Sequence, residues 1–318
     1  MNSTCAVVVH WRSVDETLAC VASLLAMTVA VDRVLVCENG SGDDAAVRLA
    51  ARLPRHPAVR LLVEPRNLGF AAGCNAALRA ALAEGGFRHY LLVNSDATLR
   101  ADCLRAFLDH AAASPGTGVF GATVVHADRP GVIQVAGGCR YHPATTIHRP
   151  AHAGAPLAAV PHLPEPRLDY VYGACMFVRR EVFERVGLFD AGYFLFCEEL
   201  DLCLRARQSG FGLGWTRDAV ARHVGGASLS QAGATPSARE AFANYHETAS
   251  LLRFTWRRHR RLFPMAATFR FCGKLAVLVW RRQPHLVAPL LAAYRDFICR
   301  RGPVAPGSSP CARISDRE

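Results

Sequence analysis

Three carboxylates, Glu198, Glu199 and Asp201, follow the apolar run "YFLFC" in a chain whose formal net charge is +11. On a helix, Glu198, Asp201 and Arg205 share one side, and Asp201 with Arg205 forms an i, i+4 ion pair. Glu199 lies about 100° away around the axis. Acids in a first helical turn ordinarily serve the helix dipole. The apolar approach adds a second use: it sets a carboxylate in a pocket wall, partly desolvated, with a pKa suited to a general base.

Other polar groups sit at the ends of apolar runs. "LLVNSDATL" exposes Asn94 and Asp96, whose two-residue spacing puts both on one face of an extended segment. Such oxygens suit a hard cation, Mg²⁺ or Mn²⁺, and they equally suit an Asx-turn. "CENGSGD" reads as a turn with a helix cap, or as a site where Glu38 or Asn39 accepts the N3–H of a pyrimidine base. "RNLGFAAGCN" combines small residues at a helix start, for close backbone approach, with Arg66 as charge for a diphosphate. His223, one of thirteen histidines, gains weight only if the fold brings it to Asp96. The turn after the first apolar run, "HWRSVDET", contains no glycine, which excludes both the dinucleotide G-x-G-x-x-G turn and the Walker loop.

The elements that must carry these groups alternate in period. Short apolar runs at "CAVVVHW", "RVLVCEN", "AVRLLVE" and "HYLLVNSD" are separated by stretches with apolar residues at helical spacing. This βαβαβαβα order predicts an α/β fold with a mostly parallel sheet, flanked by helices and binding ligands at the carboxyl ends of its strands. After Gly118 the pattern predicts a strand pair, a long loop over 142–167 and a strand through "LDYVYGACMFVRR". A helix opening at the acidic cluster follows, then two short extended segments up to His223, and a helix from Pro236 to His259. Residues 1–250 form the expected catalytic domain, 251–302 a basic amphipathic helical segment, and 303–318 a disordered tail.

Twelve bases and one acid, Asp296, lie between Leu251 and Arg301, so that segment carries the whole charge excess. Its mixture of Arg with Leu, Val and Phe fits an anionic membrane surface rather than nucleic acid. No apolar stretch reaches, uninterrupted, the ~18 residues of a spanning helix, and no secretory leader is expected. Twelve cysteines without paired spacing read as small core residues in a reducing cytosol.

The order of motifs resembles glycosyltransferase family 2, the inverting transferases of GT-A (Rossmann-like) fold, and within it the rhamnosyltransferase-like branch of bacterial cell-surface polysaccharide synthesis. The residues that carry the resemblance are "VCENGSGD", "NLGFAAGCN", "LLVNSDA", "GACMFVRREVFERVGLFD", "EELDLCLR" and "ARH", from about residue 5 to 260. The resemblance implies that Glu38 and Asn39 read the base. It puts His10, Arg66, Asn67, Gly73, Asn75 and Asn94 along the nucleotide-sugar site, and Asp96 with His223 on a divalent metal. Glu199 takes the position of the base, with Glu198 the second candidate. It implies a UDP- or dTDP-sugar donor, a glycan or lipid-linked acceptor, and a cytoplasmic enzyme peripheral on the inner face of the plasma membrane. A nucleotidyltransferase-like enzyme and a basic nucleic-acid-binding protein are the alternatives.

Overall fold

The computed structural model describes residues 3–42, 44–225 and 235–299; the tail at 303–318 lies outside them. The first half alternates as its periodicity predicts. Strands β1 (Thr4–His10), β2 (Arg33–Asn39), β3 (Val59–Glu64) and β4 (His89–Asn94) are separated by helices α1 (Val14–Leu25), α2 (Ala45–Arg52) and α3 (Phe70–Glu84). β1 is buried at all seven positions, which is why it reads as a continuous run of small and β-branched residues. The short β5 (Ala97–Leu99), helix α4 (Cys103–Ala113) and the long β6 (Thr117–His126) follow. Next come β7 (Ile133–Ala136), β8 (Gly138–His142), β9 (Ile147–Pro150), β10 (Tyr170–Val171) and β11 (Cys175–Arg179). Helices α5 (Arg180–Val186) and α6 (Glu198–Gln208) then lead to β12 (Gly212–His223). The chain ends in α7 (Pro236–Arg258), α8 (Phe263–Trp280) and α9 (Val287–Cys299).

The main sheet runs β3-β2-β1-β4-β11-β6-β12-β5, with β7 added on β6; a small sheet pairs β10, β8 and β9. β1 to β4 are mutually parallel, β11 is antiparallel to both its neighbours, and β6 and β12 are parallel. Helices cover both faces. α1, α2 and α4 close one core around Leu24, Leu49 and Phe107. α3, α5 and α6 close the other around Leu78, Phe183 and Leu202, joined by Leu251 and Phe254 of α7. Each such side chain, taken fully from water, contributes about 1.5–3 kcal/mol.

Two local expectations change. The two extended segments before His223 form a single strand, β12, kinked by a register shift between Thr216 and Val220. The expected loop over 142–167 holds β9 and a 3₁₀ turn, Leu157–His162. Trp215 supplies the reason, since it buries Ile133 and Val160 beside it, and Arg217 Nη1 donates to the carbonyls of Val160 and Leu163. Helix α7 runs without a break through residue 250. Among the described cysteines nine are buried and none is bonded, as small core residues should be.

Candidate active site

The parallel strands deliver their polar ends to one edge. His10 is in register with Glu38, and Val9 with Asn94, so the ends of β1, β2 and β4 lie side by side. A tight extension then turns Asp96 into β5, where Ala97 pairs with His223 at the end of β12. This antiparallel contact joins residues far apart in the chain.

His223 Nε2 stands 3.3 Å from Asp96 Oδ1 and 3.3 Å from Asn94 Nδ2. Its other nitrogen, Nδ1, is 3.1 Å from Gln134 Oε1 on β7. An amide oxygen only accepts, so Gln134 takes a hydrogen bond from Nδ1–H and orients the ring with Nε2 toward Asp96 and Asn94. A carboxylate and an imidazole nitrogen this close form either an ion pair of the protonated ring or a two-ligand seat for a cation. Asp96 and His223 are both buried, and Asn94 turns its amide nitrogen to Nε2, so the protein supplies one carboxylate and one imidazole. Among the described residues no cluster holds three or more His, Cys, Asp or Glu around one point. The set therefore fits a metal whose remaining positions are filled by oxygens from outside the protein, the mode in which a divalent ion bridges phosphates.

Glu198 and Glu199 begin α6 after a strained approach in which Phe196 and Cys197 both adopt left-handed φ (68° and 69°). The two acids then diverge. Glu198 is buried, and its charge is felt by the thiol of Cys74 in α3, inside the core. Burial first, and Glu199 next, push its carboxyl well above the ordinary range. Glu199 turns the other way, and a Cβ placed on Gly173 would meet its carboxyl carbon at 3.7 Å. Burial lifts its pKa to about 7, against the opposing pull of the N–H groups of Glu199 and Leu200. Its Oε2 has no hydrogen-bond partner among the described residues.

The segment Tyr172–Ala174 links this acid to the other cluster. Ala174 O accepts from Asn94 N (3.1 Å), and the Tyr172 ring meets His223 edge-on at 6.0 Å. Burial, then the charge of Glu199, and more weakly that of Asp96, raise the Tyr172 phenol above its usual range. Tyr172 thus stands between the candidate base and the candidate metal ligands. Asp201, the third acid, is fully buried and makes the expected pair with Arg205 (2.8 Å), plus a second with Arg258 of α7 (2.6 Å).

The nucleotide-side residues divide into two kinds. Glu38 is buried, and its Oε1 accepts from both the N–H and the hydroxyl of Ser41, whose Oγ also accepts from Arg12 N. It forms the turn as well as standing at the strand edge. Asn39 ties β2 to the loop between β3 and α3 through Gly69 O, Asn67 Oδ1 and Leu68 N. Asn75 holds both backbone groups of Phe189, and His10 is buried with Nδ1 2.7 Å from Thr17 Oγ1. These three are structural ties. The glycines of "NLGFAAG" answer to protein atoms: Gly69 (φ 84°) lies where a Cβ would strike Phe194 O at 2.5 Å, and at Gly73 a Cβ would touch Asn39 at 3.1 Å. Arg66 is exposed, with no ion pair among the described residues, and remains available to an anion.

Sequence reasoning missed Gln134, Tyr172 and the rim formed by Trp11, which stacks on Phe242 of α7 and carries the Arg12 guanidinium 4.7 Å over its ring. Gln134 carries no local signal, being 89 residues from the histidine it orients. Tyr172 follows a short apolar strand and reads as its continuation.

A mostly parallel sheet with polar strand ends and a buried acid opposite is the architecture of an α/β enzyme that binds its ligand at the carboxyl edge. Residues 2–243 match the family described as glycosyltransferase like family 2, and the chain belongs to it. It is similar to the N-acetylglucosaminyl-diphospho-decaprenol L-rhamnosyltransferase of Mycobacterium tuberculosis (strain ATCC 25618 / H37Rv), with 27% identity over 214 residues. That match spans 59% of this chain and 66% of the relative, just under two thirds of its length. Among solved structures, S. aureus TarS (1–349) with UDP-GlcNAc superimposes at a TM-score of 0.56 and 13% identity, covering 93% of this chain and 80% of that one. The mannosyltransferase PcManGT from Pyrobaculum calidifontis, in complex with GDP-Man and Mn²⁺, does so at 0.52 and 16%, covering 93% and 86%. The fold is GT-A, and the chain is a member of glycosyltransferase family 2 with sequence similarity to an L-rhamnosyltransferase.

Proposed function

We propose that the protein is an inverting hexosyltransferase that moves rhamnose or a similar hexose from a UDP- or dTDP-sugar to a hydroxyl of a glycan or lipid-linked acceptor in cell-surface polysaccharide synthesis. The observation that carries this reading is Glu199. It is an acid raised to about 7 with one oxygen unpartnered among the described residues, and Tyr172–Ala174 joins it to Asn94 and His223. Glu199 takes the proton of the acceptor hydroxyl as that oxygen attacks the anomeric carbon. The bond to the diphosphate breaks on the opposite face, which inverts the configuration, and Glu199 later returns its proton to solvent. A pKa close to the working pH suits a base that must both accept and release.

Asp96 and His223 would hold Mg²⁺ or Mn²⁺, which when bound neutralises the charge of the departing diphosphate. The solved structure of PcManGT with Mn²⁺ supports a divalent ion here, and the imidazole favours Mn²⁺. Arg66 contributes a fixed cation at the same edge. Tyr172 forms the wall between donor and base. The relative's lipid-diphosphate acceptor supports a lipid-linked acceptor here and work at the inner face of the plasma membrane.

The test is a screen of UDP-, dTDP- and GDP-sugars with N-acetylglucosaminyl-diphospho-polyprenol analogues, reading free nucleotide and the anomeric configuration of the product. Acceptor-dependent release from a UDP- or dTDP-sugar with inverted product is expected. Retained configuration, or no transfer from any donor by folded protein, refutes the reading.

A further inference from the structure

Six of the ten bases between Leu251 and Cys299 are ion-paired within the protein. Arg253 and Arg257 pair with Asp190, Arg258 with Asp201, Arg270 and Lys274 with Glu247, and Arg295 with Asp296. Four exposed arginines have no ion pair among the described residues, Arg260 and Arg261 just before α8 and Arg281 and Arg282 just after it. Arg300 and Arg301 lie outside the described residues.

Between these two pairs α8 presents one uncharged stripe. Met265, Phe269, Cys272, Ala276 and Trp280, at i, i+4, i+7, i+11 and i+15, are all exposed, with Trp280 79% accessible. The two charges of the helix, Arg270 and Lys274, turn instead to Glu247 on α7. The opposite side is apolar and covered: Leu278, Leu286 and Leu290 pack together between the helices, with Leu275 against them. An 18-residue helix is about 27 Å long, so the stripe spans several lipid headgroups.

We propose that this face of α8 lies in the plane of an anionic bilayer, its apolar side chains among the upper acyl carbons and its two arginine pairs on headgroup phosphates. Long uncharged stripes with a tryptophan and terminal arginines bind in this way. A second copy of the chain fits less well, because pairing α8 with itself in either direction sets arginine pairs against one another. Spanning fits less well too. Arg260–Trp280 is long and apolar enough to cross a membrane by length and composition. Crossing would carry the Arg270–Lys274–Glu247 cluster, and the helices attached to it, into hydrocarbon. The inference rests on the proposed lipid-linked acceptor only for its purpose, which is to hold the site where such a substrate lies.

The experiment uses the full chain with vesicles of neutral phosphatidylcholine, alone or with one third phosphatidylglycerol, and reads co-sedimentation and quenching by brominated lipids, with Trp280→Phe assigning the quenched signal. Binding to the anionic vesicles is expected, and it should fall steeply between 0.1 and 0.5 M salt, roughly as the screening length shortens. Arg281→Gln/Arg282→Gln should weaken it about 30-fold, at ~1 kcal/mol per arginine. Phe269→Glu should abolish it, with the circular dichroism spectrum unchanged. Equal binding to neutral vesicles, strongest quenching from bromines at the bilayer centre, or a concentration-dependent dimer with no vesicle binding would each overturn the proposal. Turnover of a soluble acceptor analogue in the same variants keeps the two readings apart: vesicle binding without any transfer sinks the proposed reaction and leaves this surface standing.

Discussion

Replacing Glu199 by glutamine keeps the volume and the hydrogen-bonding reach of the side chain and removes its ability to take a proton. If Glu199 is the base, kcat falls by about 10²–10⁴ with donor affinity nearly unchanged. The wild-type rate should also follow its ionisation. With the carboxyl at about 7, activity drops about tenfold per pH unit below that point and levels off above roughly pH 8. The same shift predicts a stability effect of opposite sense. The folded-state pKa is raised from 4.5 to about 7, so the folded protein binds the proton more tightly than the unfolded chain. Stability from that proton is complete below about pH 4.5 and is lost as pH rises through 7. At 1.36 kcal/mol per unit the ceiling is about 3 kcal/mol, and about 1–3 kcal/mol is the expectation at pH 8. Glu199→Gln should therefore be inactive yet more stable than wild type at pH 8, with the two converging near pH 4. Stopped nucleotide-release assays across pH 5–9 and urea unfolding at pH 4 and 8 measure both. Near-normal kcat, or a variant less stable at pH 8, would show that this carboxyl is neither the base nor held in a desolvated pocket.

Glu198→Gln should change kcat by less than about fivefold, since its acid is raised by burial in the core and glutamine mimics the protonated form. Asp96→Asn should abolish turnover while the thermal transition stays within a few degrees, and EDTA should silence the wild type; full activity in EDTA would remove the metal. Gln134→Ala should weaken Mn²⁺ binding in the presence of UDP by about 10–100-fold, read as free Mn²⁺ by electron paramagnetic resonance, because the imidazole loses the partner that orients it. Asp201→Asn should cost about 3–5 kcal/mol in urea unfolding, since it strands Arg205 and Arg258 beside a buried site, with activity per folded molecule retained.

Much of this protein could be read before its structure because the signals are local. Apolar runs with residues such as Val7, Val36 and Leu92 alternate with helical spacing, and a parallel sheet with polar strand ends follows from period and order alone. Asn94 and Asp96 were legible as polar groups at a strand end, but Ser95–Asp96 form a turn, so it is His223 rather than a shared extended face that brings them together. The Asp201–Arg205 pair needed only a helix.

What required the tertiary structure was every contact that crosses the chain. His223 reaches Asp96 through the β5–β12 pairing, and Gln134 reaches His223 through β7, so neither role leaves a mark on neighbouring residues. Spacing separated Glu198 and Glu199 by direction and was silent on where each direction led, because one faces Cys74 and the other Gly173 only once α6 is docked. The twelve bases of the C-terminal segment were countable from composition. Which of them face water was decided by Asp190, Asp201 and Glu247, acids brought to them by packing from α6, the loop before it and α7. Sequence determines which groups exist and which face of an element they share, because that is set by bond geometry within a few residues. Burial, charge neutralisation and the pairing of distant strands arise from the mutual exclusion of water by surfaces far apart in the chain, and they belong to the fold alone.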